Sequence, residues 1–168
     1  MNIKFVTSDE VEFVVEENVA KMSKTIYNFL EDFKDEPFDE SGRVIPLTNV
    51  DSWTLEKVIE YCNYHFEHPN AYEEIKKINS NEIIEWDKEF FSKIDDGTTK
   101  DHTGLFKLIL AANYLDIGLL MDMSCKTVAN MIKGKTPEEI RELFGIKNDF
   151  SPEEEEAIRR ENAWCEEL

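Results

Sequence analysis

The sequence predicts an α+β fold that is mostly helical, and three observations carry the prediction. The opening residues alternate apolar and polar with a period of two, the signature of half-buried strands. Most of the remainder repeats its apolar residues at helical spacing. Near the end, the same helix-start signal occurs twice, at Thr136-Pro137-Glu138-Glu139 and Ser151-Pro152-Glu153-Glu154. With 168 residues, the chain is long enough for one domain or a domain with an appendage. Folding at that size buries roughly two-thirds of the extended chain's surface, so a real core is expected.

The elements follow in order. Ile3, Phe5 and Thr7 alternate with polar neighbours, Ser8-Asp9-Glu10 reads as a turn, and Val11, Phe13 and Val15 alternate again, which predicts a hairpin. Met22, Ile26, Phe29, Leu30 and Phe33 fall at helical spacing. An acidic loop is expected over 34–42. The short extended segment from Arg43 to Leu47 contains Pro46, which belongs at a sheet edge because it has no N–H to donate. Asp51 then caps an amphipathic helix with Leu55, Val58, Ile59, Cys62 and Phe66 on one face, ending at His68-Pro69-Asn70. Residues 67–83 are polar and weakly periodic and read as a mobile linker. A short helix is expected over 86–94, and a flexible loop over 95–104, where no core-forming residue occurs.

The second half is helical. Leu105 to Tyr114 is apolar on nearly all sides, so it is either buried by neighbours or awaits a partner. A second helix runs from Ile117 to Lys133 and meets Gly134 where a left-handed residue suits a helix end. Both start signals place a hydroxyl at the N-cap, proline at the first helical position and glutamate at the third. They predict helices over 137–144 and 152–165. In the last helix, Ala157, Ile158, Ala163, Trp164 and Cys165 offer the apolar area among many charges. Trp164 has little local core to enter: it either folds back onto its own domain or anchors an interface, where tryptophan is enriched.

Charge and composition narrow the function. There are 37 acidic against 19 basic residues, a net charge of −18. Such a field repels polyphosphates and anionic lipid, so direct nucleic-acid or membrane binding is not expected, whereas a basic protein surface would be attracted. The same acidity also serves solubility alone. No apolar run approaches the roughly 20 residues of a bilayer span, and residues 1–7 predict no secretory signal. The expected location is cytoplasmic and nuclear.

Catalytic and metal signals are weak. Cys62, Cys125 and Cys165 form no CxxC, and His65 and His68 with Glu67 between them lack the further ligands that a metal site needs. The six glycines are scattered and make no phosphate-binding loop. Acidic pairs such as Glu138/Glu139 lie at helix starts, where capping and solvation explain them better than acid–base chemistry. No metal or cofactor is expected, and the physical reading favours an interaction protein over an enzyme.

The stretches LFKLILAANYLDI (105–117), CKTVANMIKGKTPEEIRELFGIKNDFSPEEEEAIRRENAWCEE (125–167) and Trp86-Asp87-Lys88-Glu89-Phe90 resemble the S-phase kinase-associated protein adaptor family. Members of that family join F-box proteins to a cullin in SCF ubiquitin ligases. VIPLTNV (44–50) and the helix after it are similar but looser. The resemblance covers about three-quarters of the chain and leaves out the segment 67–83. It implies a BTB/POZ domain over 1–133, with a small mixed sheet, and a two-helix C-terminal extension over 134–168 for F-box docking. By the same resemblance, Leu105, Phe106, Ile109, Met121, Val128, Ile132, Ile146, Phe150, Ile158, Trp164 and Cys165 would bind the F-box, and Asn113 and Tyr114 the N-terminal domain of the cullin. Pro137 matches a proline that is hydroxylated and glycosylated in some protist members, although N-terminal capping also explains it.

The chain departs from the family in a longer segment between Phe90 and Leu105, in Gly118-Leu119, and in Gly145 where asparagine is common. The expected role is a non-catalytic adaptor of an SCF-type ligase in ubiquitin-dependent degradation. The alternatives are an F-box-binding subunit of an assembly without a cullin, a small-molecule enzyme using an acidic cleft, and a self-assembling BTB module.

Overall fold

The computed structural model describes residues 2–33, 44–71, 83–94 and 102–165. The fold is α+β and mostly helical, as predicted. The chain divides into two compact units, Met1–Lys133 and Gly134–Leu168.

The first unit is built on a three-stranded mixed sheet of β1 (Asn2–Thr7), β2 (Glu12–Glu16) and β3 (Val44–Leu47) in the order β2-β1-β3. β1 and β2 form the antiparallel hairpin, with Ile3 opposite Val15 and Phe5 opposite Phe13. β3 lies parallel to β1 at the other edge, with Phe5 beside Ile45 and Val6 beside Pro46. That edge position tolerates a proline because, among the described residues, no further strand waits for its missing N–H. Ile3, Phe5, Thr7, Val15, Ile45 and Leu47 are buried on one face of the sheet, as a period of two requires. Val11, placed in the second strand by its alternation, precedes β2 and is exposed. In the hairpin turn, the Asp9 carboxylate accepts hydrogen bonds from the Ser52 amide (2.9 Å) and hydroxyl (2.5 Å) and from the Thr7 hydroxyl (2.6 Å). Those bonds hold its pKa below the usual carboxylate value and tie the turn to the helix that follows β3.

The helices of this unit are α1 (Glu17–Ala20), α2 (Lys24–Asp32), α3 (Ser52–Glu67), α4 (Glu85–Ile94), α5 (Thr103–Leu115) and α6 (Gly118–Ile132). The short α1 carries no long periodic signal in the sequence, yet it buries Val19 and Ala20. α3 starts where Asp51 accepts from the Thr54 amide at 2.8 Å, and Lys107 of α5 reaches the same carboxylate at 2.7 Å. Leu55, Val58 and Cys62 of α3 are buried as predicted, but Phe66 is exposed and Tyr61 and His65 are buried in its place. Burial pushes the Cys62 thiol up to about 12, so it stays protonated in the core. The α5–α6 pair supplies Leu108, Ala111, Ala112, Leu115, Leu120 and Met123 to the same core.

Two predicted loops are corrected where they are described. Residues 69–71 are helical rather than linker, and Ile83 is a core residue at 7% exposure. At 102–104, α5 begins at Thr103, because Gly104 allows the helix to pass close to Trp53: an added Cβ would lie 2.9 Å from the indole edge. The acidic loop at 34–42, the rest of the expected linker (72–82) and residues 95–101 of the expected loop lie outside the described residues.

The second unit consists of α7 (Pro137–Leu143), α8 (Pro152–Glu161) and a final 3₁₀ turn at Ala163–Cys165. Both helices start in complete capping boxes. The Thr136 hydroxyl accepts from the Glu139 amide while the Glu139 carboxylate accepts from the Thr136 amide, and Ser151 and Glu154 repeat the arrangement. Glu154 is held below its usual pKa by the Ser151 amide and hydroxyl.

Candidate partner-binding surfaces

Among the described residues the second unit has no buried core of its own. Neither α7 nor α8 contains a buried residue. Ile146, Phe150, Ile158 and Trp164 are 54%, 47%, 42% and 67% exposed. Backbone geometry explains the placement of Ile146. Gly145 adopts φ +62° after α7, and the Ile146 and Gly145 amides donate back to the Arg141 and Glu142 carbonyls at 2.8 and 3.4 Å. This left-handed helix ending usually folds the residue after the glycine onto the helix, but here Ile146 remains more than half exposed. Between α7 and α8 lies a groove of about 480 Å³ whose apolar lining is Pro137, Phe150 and Ile158. Pro137 is exposed there, at the first position of α7. Cys165 closes the last turn.

In the first unit, α5 and α6 each present two faces. On α5, Leu108, Ala111, Ala112 and Leu115 face the core, while Phe106 (38% exposed) and Leu110 (68%) face outward and Ile109 is half-buried. Leu105 lies on the inner face of the same helix. At 1% exposure it shares the inner stripe with Leu108 and Ala112. On α6, Met121 and Val128 are half-buried and Ile132 is 37% exposed. They share one face with Cys125, whose thiol lies 3.9 Å from the Met121 sulfur. Sequence reasoning missed Cys125, although its spacing between Met121 and Val128 is the helical one.

Asn113 and Tyr114 sit at the C-terminal end of α5, where the structure is pinned. Asp116 takes up a left-handed conformation, φ +50°, so the Ile117 amide donates to the Ala112 carbonyl at 2.9 Å and Ile117 is buried. The helix leaves carbonyls without intrahelical partners, and the start of α2 supplies donors. The Ser23 hydroxyl bonds to the Leu115 carbonyl, the Thr25 hydroxyl to Tyr114 (3.2 Å) and the Lys24 amide to Asp116 (3.2 Å). Asn113 is exposed and Tyr114 half-buried. Leu110, about one turn earlier, is the exposed apolar neighbour that the sequence reading missed. The signal was a helix apolar on nearly all sides.

The buried polar site of the first unit lies elsewhere. His65 of α3 and Asp87 of α4 meet at 2.8 Å, Nε2 to Oδ1, at 4% and 0% exposure. Tyr61 packs beside them, its hydroxyl pKa raised by burial and by the Asp87 charge. The Tyr61 hydroxyl, His65 Nδ1 and Asp87 Oδ2 are buried without a hydrogen-bond partner among the described residues. Tyr64 stacks on Trp86 at 3.8 Å, and Phe90 lies 5.3 Å from Tyr61. Buried beneath these rings, the pair links α3 to α4. Among the described residues no group of three or more His, Cys, Asp and Glu side chains is placed to hold a metal, and Glu139 and Glu154 are occupied in capping.

Fold and surfaces together define a binding module: a small α+β body with a pinned helix end, and a coreless helical pair that exposes aromatic and aliphatic side chains. Comparison with known proteins gives the family. Residues 1–67 match the tetramerisation domain of the Skp1 family and residues 119–165 its dimerisation domain. The chain is 52% identical over 166 residues to a protein of Dictyostelium discoideum called SCF ubiquitin ligase complex protein SKP1a, covering 98% of this chain and 95% of that protein. It is 51% identical over 167 residues to a Skp1-related protein of Caenorhabditis elegans, covering 98% and 91%. It is 49% identical over 162 residues to the E3 ubiquitin ligase complex SCF subunit sconC of Talaromyces stipitatus, covering 95% and 94%. The chain therefore belongs to the Skp1 family.

Proposed function

We infer that the chain is a subunit of an SCF-type ubiquitin ligase, where it acts as a non-catalytic adaptor bridging F-box proteins to a cullin. Relatives about half identical over nearly the whole chain carry SCF names, and the observation on this molecule that supports the reading most directly is the exposure of Trp164, together with that of Ile158, Phe150 and Ile146. A large indole left two-thirds exposed is costly to hydrate and is worth most when a partner covers it.

Each unit carries its own F-box contacts: Phe106, Ile109, Met121, Val128 and Ile132 on the first, and Ile146, Phe150, Ile158, Trp164 and Cys165 on the second. The cullin surface centres on Asn113 and Tyr114, to which we add Leu110. Neither surface performs chemistry. The benefit is proximity: holding a substrate receptor and the ubiquitin-charged enzyme on one scaffold converts an encounter in solution into a local transfer, which lowers the barrier by several kcal/mol. Docking of amphipathic helices over roughly 1,600 Å² with an aromatic anchor fits such an assembly.

Co-purification with an F-box protein and a cullin N-terminal fragment tests the reading. A complex containing all three chains is expected. Recovery of the F-box protein without the cullin would select the alternative assembly, and recovery of neither would end both.

A further inference from the structure

The Gly134–Leu168 unit is organised by charge where a core would be expected. Two ion pairs cross between its helices: Arg141 Nη1 to Glu155 Oε1 at 3.2 Å, and Arg159 Nη2 to Glu138 Oε1 at 3.4 Å. Each joins the last turn of one helix to the first turn of the other, so the two helices run antiparallel. Both acids of these pairs then sit in the first turn of a helix and both bases in a last turn, where the backbone dipoles favour them. Asn148 adds a bond to Glu155 at 3.4 Å, and the Arg141 guanidinium lies 6.0 Å over the Phe150 ring. All four charges border the groove between the helices. They cancel one another in a chain whose net charge is −18.

We propose that these crossed ion pairs are a latch that holds the groove formed before a partner arrives. Its consequence for F-box affinity rests on the functional reading above; its existence does not. Helices of 7 and 10 residues fall below the roughly 12–15 residues at which an isolated helix persists in water. The capping boxes fix where each helix starts, but they do not set the distance between the two. No residue of either helix is fully buried, although Ile140 and Leu143 are half-buried, and the ion pairs and the ring under Arg141 span the gap from one helix to the other. A single exposed pair usually contributes little. Here the Arg141–Glu155 side chains are only 20% and 33% exposed, and both pairs act on the same separation, so they are coupled. A groove already at its working width spares an incoming amphipathic helix the cost of ordering it.

Amide hydrogen exchange on the full chain without a partner tests the latch, using Glu155→Gln, Glu138→Gln and Arg141→Gln. Combining the two glutamine replacements of glutamate should accelerate exchange in residues 137–161 by about threefold to tenfold, with the amides of residues 2–33 and 44–71 unchanged. Arg141→Gln combined with Glu155→Gln should be no faster than either alone, because both remove the same pair. Salt at about 0.5 M should reproduce the effect in the natural chain and add little to the double variant. Unchanged exchange, or strictly additive effects of Arg141→Gln and Glu155→Gln, overturns the latch. Calorimetry with an F-box fragment should show affinity weakened by a similar factor; accelerated exchange with unchanged affinity overturns the link to binding. If the natural chain binds no F-box fragment at all, the functional reading fails while the exchange result stands.

Discussion

Replacing Trp164 with alanine separates binding from folding, because the indole belongs to the surface of the free chain. A tryptophan presents roughly 250 Å², and this one is 67% exposed. Roughly 170 Å² therefore remains to be covered, worth about 4 kcal/mol at ~25 cal/mol per Å². Ordering the last turn and the partner side chains offsets part of that gain, leaving about 2 kcal/mol or more, a thirtyfold loss of F-box affinity in Trp164→Ala. Stability of the free chain should change by less than about 0.5 kcal/mol, as for other surface positions. Titration calorimetry with an F-box fragment and thermal unfolding of the free variant measure the two quantities. An unchanged dissociation constant would refute the anchor role. A large fall in melting temperature would show instead that the indole is a structural residue of its own molecule.

Three further variants probe other links in the account. Asn113→Ala with Tyr114→Ala should weaken binding of a cullin N-terminal fragment and leave F-box affinity near normal; loss of both, with the fold intact by circular dichroism, would contradict two separable surfaces. Asp87→Ala leaves the buried His65 ring nitrogen without its partner and should cost about 1 to 3 kcal/mol in urea unfolding, whereas a cost below about 0.5 kcal/mol would mean that the pair does not join α3 to α4. Asp51 is pulled two ways: burial raises its pKa, but the Lys107 ammonium and the Thr54 hydroxyl and amide outweigh burial and hold it at about 2, against an ordinary 3.8. Because the folded value is the lower one, its stabilisation is present above about pH 4 and fades as the pH falls toward 2. Asp51→Ala should therefore cost about 1 kcal/mol at neutral pH and progressively less in acid, and a cost independent of pH would count against the Lys107 contact.

Much of the fold was legible because it follows from local rules. The period-two pattern around Phe5 and Val15, Pro46 at an edge, the Asp51 cap and the two capping boxes each depend on residues near in sequence. What remained hidden depends on pairs distant in sequence. Tyr61 and His65 look polar on the α3 wheel, and their burial makes sense only once Asp87 arrives 22 residues later. Leu105 and Phe106 are adjacent and both apolar, so in a helix greasy on nearly all sides only the packed core decides which one turns inward. Ile83 has no periodic neighbours to mark it as core, and Thr103–Gly104 joins α5 because Trp53, far away in sequence, leaves room for a glycine. In the last unit the charged surroundings left Trp164 open between its own domain and a partner, and Ile146 and Phe150 were marked only by the resemblance; the structure leaves all three exposed.

Hydroxyl-radical footprinting of residues 137–165, with the chain free and then saturated with an F-box fragment, addresses the governing idea directly. Phe150, Ile158 and Trp164 should be readily oxidised in the free chain and strongly protected in the complex, with the stacked Trp86 protected in both. Equal labelling of the three with and without the fragment, or an indole already shielded in the free chain, would contradict the account.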